Sequence, residues 1–260
     1  MSDYSKELTA AKSIAKQAGV IMRRYFDAGV ASTQKQDGSP VTAADIEINK
    51  LVIEEITKNF GDVVVGEEES TGDYGMGRRW ICDPIDGTRA FTWGLPFAMF
   101  SLALVIDGTP TVAVAYDPFL NRLYEATQGG GSFCNGTALH VSTKELSSGN
   151  IAVSSSPVKV LQDKTYAALL NNLIEAGAQL GSFNGSVYKG CLVARGNFVG
   201  YLERGIHAHD VAATDLIVRE AGGMVTGFDG KRLDYSKPFR GAVMSNGVAH
   251  EKLLACAQEK

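Results

Sequence analysis

RRWICDPIDGT, residues 78–88, runs an apolar, strand-like segment into two aspartates three positions apart, Asp83 and Asp86, with Pro84 between them and Gly87-Thr88 directly after. Two carboxylates at the carboxyl end of a strand, in a turn stiffened by proline, repel each other unless a cation sits between them. A hard divalent cation removes that cost. The turn leaves the Ile85 carbonyl as a further oxygen ligand, and all-oxygen ligation points to Mg2+ and away from zinc or copper. Gly87 permits close backbone approach, and the amides of Gly87 and Thr88, opening a helical turn, suit a phosphate oxygen.

Two other stretches carry acid at element ends. In VVVGEEES (63–70) a short buried strand, Val63 to Val65, opens into Glu67 and Glu68. In HDVAATDLIVREAGG (209–223) Asp210 stands at the start of a helix over 210–221, where it reads as an N-cap and where the helix dipole keeps its carboxylate ionised. Elsewhere, apolar positions at helical spacing predict helices over 5–27 and, capped by Thr42, after residue 42, with Asp45 in the first turn of the second. QKQDGSPV (34–41) reads as the loop between them. From 97 to 127 the pattern is β-rich with Asp-Gly and Asp-Pro turns, predicting antiparallel neighbours. The second half alternates: strands at 150–156, 178–184, 198–203 and 241–247, helices at 161–176 and 187–196. Alternation of this kind indicates layered α/β construction, with one compact unit built from an N-terminal α+β half, 1–145, and a C-terminal α/β half, 146–260.

Composition narrows the function classes. The 25 Lys+Arg against 29 Asp+Glu give a net charge of -4, a field that disfavours nucleic acid as the main partner. Cys82, Cys134, Cys191 and Cys256 show no CxxC pair or zinc-site spacing, which predicts buried free thiols and suits a reducing cytosol. No apolar run of about 18 residues predicts a membrane span, so the expected location is cytoplasmic. QGGGSF (128–133) lacks the spacing of a nucleotide-binding loop and reads as a turn.

GEEES, DPIDGT and HDVAATDLIVREAGG, in that order, resemble the three signature regions of the inositol monophosphatase family of Mg2+-dependent, lithium-sensitive phosphatases. SPVTAAD (39–45), YDPFLNRLYEA (116–126), CLVARG (191–196) and YLERGIHAHD (201–210) extend the resemblance over nearly the whole chain. It implies an αβαβα sandwich of the inositol monophosphatase / fructose-1,6-bisphosphatase type, a homodimer, and two to three Mg2+ ions. By this resemblance Glu67, Asp83 and the Ile85 carbonyl hold a first ion, and Asp83, Asp86 and Asp210 a second, bridged by Asp83. A third ion falls to Glu67, with Glu68 behind it. Thr88 resembles the hydroxyl that positions the attacking water, with Asp45 hydrogen-bonded to it, and Glu67 is a further proton acceptor.

The resemblance places substrate contacts at Ser186 and Glu203, beside Asp86 and Asp210. His209 stands where many relatives have Trp, with His207 two residues earlier; the reading assigns His209 to the pocket wall or rim and His207 to a supporting role. Arg89 after Thr88 is also found in relatives acting on histidinol phosphate, whereas YDPFLNRLYEA favours inositol phosphatases. The expected reaction is hydrolysis of a small polyol phosphate, myo-inositol-1-phosphate first, by direct attack of water. Histidinol phosphate, fructose 1,6-bisphosphate and 3'(2'),5'-bisphosphate nucleotides are the alternative substrates, and a regulatory protein-binding role is the non-enzymatic alternative.

Overall fold

The computed structural model describes residues 3–35, 38–153 and 164–257. Helices α1 (Ser5–Ala28) and α2 (Ala43–Phe60) pack on a seven-stranded sheet made of β3 (Val63–Gly66), β4 (Arg78–Asp86), β5 (Met99–Ile106), β6 (Thr109–Asp117), β7 (Arg122–Thr127), β8 (Gly131–Cys134) and β9 (Thr137–Ala138), adjacent in that order. β3 runs parallel to β4 and every later pair is antiparallel, and a short helix, α3 (Thr88–Thr92), follows β4. Between the helices, β1 (Ser32–Gln34) and β2 (Pro40–Thr42) pair as a hairpin, so the segment read as a plain loop contributes strand residues at both of its ends. Gln36 and Asp37, within that segment, lie outside the described residues.

After a 3-10 turn at Leu146–Ser148 come β10 (Asn150–Val153), α4 (Lys164–Glu175), β11 (Gln179–Ser182), α5 (Ser186–Ala194), β12 (Gly200–Glu203), α6 (Ala208–Glu220), β13 (Met224–Thr226), β14 (Ala242–Ser245) and α7 (His250–Ala257). The strands form a second sheet in the order β11-β10-β12-β14-β13. α5 and α6 lie between the sheets, and α4 and α7 cover the outer face of the second. Five layers result, α/β/α/β/α, as expected. Residues 154–156 and 161–163, placed in a strand and a helix by the sequence pattern, lie outside the described residues. β13, the β8–β9 pair and α7 are additions to the sequence reading.

Side-chain size explains the layering. Along β5 and β6, Phe100, Leu102, Leu104, Val112 and Val114 face α1 and α2, while Ala103, Ala113 and Ala115 face α6. The small side chains let α6, itself carrying Ala212 and Ala213, sit close to the sheet. α6 is enclosed on all sides, so Val211 to Val218 is buried throughout. Its one buried carboxylate, Asp215, is matched by Arg219 and by the hydroxyl of Tyr235 at 2.9 Å. Where α5 crosses α6, a Cβ on Gly190 would stand 2.7 Å from the Thr214 Cβ. Gly190→Ala is therefore expected to destabilise the fold by about 1–3 kcal/mol, read from urea unfolding, despite the better helix propensity of alanine.

The thiols are all free. Cys82 and Cys191 are buried, but Cys134 and Cys256 are only half-buried, which corrects the expectation for those two. No described helix is long and apolar enough to cross a membrane.

Candidate active site

Parallel pairing sets Gly66 opposite Cys82, so Glu67, just past the end of β3, comes beside Asp83 of β4. The sequence predicts a strand ending at Asp83 and a turn stiffened by Pro84; instead β4 continues to Asp86. Asp83 pairs with Ser101 and Asp86 with Met99, so three steps on β4 match two on β5. On a regular strand, residues three apart point to opposite faces. The extra residue of this β-bulge resets the alternation and turns both carboxylates to one side.

Asp210 joins them from the first turn of α6. The helix begins at Ala208, so Asp210 is its third residue and not its N-cap; its Oδ2 accepts the His207 amide at 2.7 Å in a capping box. One oxygen from each of Asp83, Asp86 and Asp210 lies within 4.8 Å of the others. Asp86 is further fixed by the N-terminus of α5, accepting the amides of Ser186 (2.7 Å), Val187 (2.9 Å) and Tyr188 (3.4 Å).

Two buried acids with a half-buried third this close are costly as anions. Burial first, then Glu67, Asp86 and Asp210, drive the Asp83 pKa well above the carboxylate range. Burial and Asp210 push Asp86 up to about 7, against the pull of the α5 amides and Lys189. Burial also raises Asp210. Asp83 is 1% exposed and its Oδ1 is buried with no hydrogen-bond partner. An orphaned carboxylate oxygen in an all-oxygen cluster fits a hard divalent cation of the Mg2+ type.

Glu67 lines the same cavity, but its carboxylate is engaged by Lys35, whose Nζ lies 2.7 Å from Glu67 Oε1 and 2.6 Å from Glu68 Oε1. Burial lowers the lysine pKa, yet the bonds to Glu67 and Glu68 outweigh it and the net shift is upward. Lys35 comes from the hairpin tip, and its charge pattern offered no sign of this role. Asp45 closes the capping box of α2 with the Thr42 amide (2.8 Å), and burial raises its pKa to about 6. The Ile85 carbonyl is not free as expected: the Thr88 hydroxyl donates to it at 2.9 Å. Thr88 Oγ is 3.5 Å from Asp45 Oδ1, so the expected Thr88–Asp45 bond is at the outer limit of one.

Gly87 takes the left-handed conformation, φ 89°, and a Cβ there would meet the Phe97 carbonyl at 2.6 Å. With Thr88 it floors a cavity of about 300 Å³ whose walls include Glu67, Asp86, Asp210, Ser186, Glu203 and the exposed Arg89. A larger cavity of about 540 Å³, beside α1 and α2 and lined by Lys6, Ser13, Glu55 and Phe60, has no such cluster. The rings of His207 and His209 stack at 5.5 Å, and His209 Nε2 is 3.8 Å from Asp210 Oδ2. Among the described residues no histidine or cysteine joins the carboxylate group.

A five-layer α/β molecule with a carboxylate cluster beside the amides of a Gly-Thr turn has the architecture of a metal-dependent phosphatase. The sequence profile of the Inositol monophosphatase family matches residues 3–260. The chain belongs to that family. It is 35% identical over 228 residues to the Nus factor SuhB of Pasteurella multocida, covering 86% of this chain and 85% of that one. The Histidinol-phosphatase of Chlorobaculum parvum is 33% identical over 253 residues, 96% of this chain and 95% of its own. Among solved structures, the IMPase of Thermotoga maritima matches with a TM-score of 0.87 and 27% identity, covering 97% of this chain and 96% of the other.

Proposed function

We propose that the protein is a Mg2+-dependent phosphomonoesterase of small polyol phosphates, with myo-inositol-1-phosphate as the preferred substrate. The observation that carries this reading is the orphaned Asp83 oxygen at the centre of a buried carboxylate cluster that adjoins the Gly87-Thr88 backbone. Glu67, Asp83 and the second lone pair of the Ile85 carbonyl would hold one ion, and Asp83, Asp86 and Asp210 another, with Glu67 available to a third. When bound, such ions neutralise phosphoryl charge, acidify the attacking water and stabilise the departing alkoxide.

The protein's own groups do the rest. The amides of Gly87 and Thr88 hold phosphoryl oxygens. The Thr88 hydroxyl has two acceptors within reach for its one proton, the Ile85 carbonyl at 2.9 Å and Asp45 Oδ1 at 3.5 Å. Its oxygen is thereby left to accept a hydrogen bond from water. With the hydroxyl turned to Asp45, the proton leaving the water would pass to Thr88 Oγ as the Thr88 proton passes to Asp45, which at about 6 is ionised near neutral pH and able to receive it. Glu67 is a second acceptor once released from Lys35. Ser186 and Glu203 line the leaving-alcohol side. A homodimer is part of this reading.

Phosphate release from a panel of esters tests it: myo-inositol-1-phosphate is expected to show the highest kcat/KM, ahead of histidinol phosphate, fructose 1,6-bisphosphate and 3'-phosphoadenosine nucleotides. Full turnover in excess chelator would refute the metal dependence. The similarity to proteins named Nus factor SuhB supports a second reading, a regulatory protein-binding role; a partner captured equally by wild type and by Asp83→Asn would separate that role from hydrolysis.

A further inference from the structure

Lys189 is 2% exposed, yet its side chain reaches the wall of the active-site cavity. A buried ammonium is costly unless paired and hydrogen-bonded. Its Nζ lies 3.1 Å from Glu203 Oε2, and the same oxygen accepts the Tyr201 hydroxyl at 2.9 Å. Nζ also stands 5.0 Å from the centroid of the Tyr201 ring, within cation–π range. Glu203 itself is 7% exposed at the end of β12 and lines the same cavity. Lys189 projects from α5 and Glu203 from β12, so the pair is held by two packed elements.

We propose that Lys189 determines leaving-group selectivity by neutralising Glu203, so that the site takes esters of uncharged polyols and discriminates against esters of cationic amino alcohols. The inference rests on the phosphomonoesterase reading above. A carboxylate standing alone at this wall would attract an ammonium on the leaving alcohol; the ion pair presents no net charge to it. Hydroxyl groups lose nothing by this, because they can accept from the lysine and donate to the carboxylate. Conversion to Arg would keep the charge, whereas Met keeps the apolar stem and removes it.

The experiment measures kcat/KM for myo-inositol-1-phosphate and for histidinol phosphate in saturating Mg2+, with p-nitrophenyl phosphate as a reference ester. Lys189→Met is expected to shift the ratio toward the amino-alcohol ester by about tenfold or more, as the uncompensated Glu203 becomes its counter-ion. Glu203→Gln, which leaves the ammonium unbalanced, is expected to shift the ratio the opposite way, and Lys189→Arg to stay near wild type. Shifts of opposite sign are not produced by general loss of packing. Should Lys189→Met fail to give a cooperative melt, Glu203→Gln carries the test by itself. A ratio within twofold of wild type in a folded charge variant would overturn the proposal. A wild type inactive on every ester, p-nitrophenyl phosphate included, would instead overturn the phosphatase reading and this selectivity with it.

Discussion

Asp83→Asn is expected to lower Mg2+-dependent phosphate release by roughly a thousandfold while leaving the metal-free protein at least as stable as wild type. The first effect follows from the position of Asp83 among Glu67, Asp86 and Asp210. A group shared by the whole cluster contributes to charge stabilisation worth several kcal/mol in the transition state, and about 4 kcal/mol is roughly a thousandfold in rate. The second effect has the opposite sign because the asparagine is isosteric and neutral. It replaces a carboxyl group that is 1% exposed, has an unpartnered oxygen and is costly to ionise beside its acidic neighbours, so the metal-free fold loses nothing by the change. Steady-state kinetics and a thermal melt in chelator check the two halves. A variant that is inactive because it has unfolded, or one that retains near wild-type turnover, would remove the assignment of Asp83 to the metal centre.

Thermal stability of the metal-free protein is expected to fall as pH rises through the range 4 to 7, and Mg2+ is expected to restore it. Asp86 is raised from 3.8 to about 7 and Asp45 from 3.8 to about 6, in both cases chiefly by burial. Between the ordinary and the raised values the folded chain binds more protons than the unfolded chain, so stability declines with pH across that window. The contribution is complete below about pH 4 and gone above about pH 7. A bound divalent cation replaces those protons, so its benefit is small at pH 5 and large at pH 8. At a hundred times its dissociation constant a ligand adds about 2.7 kcal/mol, or about 5–10 °C in Tm for a chain of this size. An Mg2+-induced shift of the same size at pH 5 and pH 8 would show that these carboxylates are not where the ion binds. Asp83→Asn should flatten the difference between the two pH values.

Much of the fold was legible because its signals are local. Thr42 announces the start of α2 with its own side chain, accepting from the amides of Ala44 and Asp45. The apolar runs of β5 and β6 read as strands, and Asp107, at φ 49°, and Gly108 turn the chain between them. Less legible were β13, the β8–β9 pair and α7, which are three, two to four and eight residues long and gain their stability from what they pack on. The start of α6 was misplaced by two residues because an aspartate at its third position resembles a cap; only the bond from Asp210 to the His207 amide distinguishes them.

The candidate site divides along the same line. Residue types give its chemistry in outline: acids ending two strands and opening a helix, a glycine free to take positive φ and a hydroxyl beside it are compatible with a hard cation and a phosphate, and it is the three motifs in order, through their resemblance to the inositol monophosphatase family, that select this reading. Distances were a matter for the tertiary structure. A bulge in β4 turned Asp83 and Asp86 to one face, a helix begun one hundred residues later supplied the amides that hold Asp86, and Lys35 and Lys189 were carried to carboxylates 32 and 14 positions away. Such pairings have no local signature, since a lysine on a strand tip or helix reads as solvated until packing removes the water around it and leaves a carboxylate as its partner.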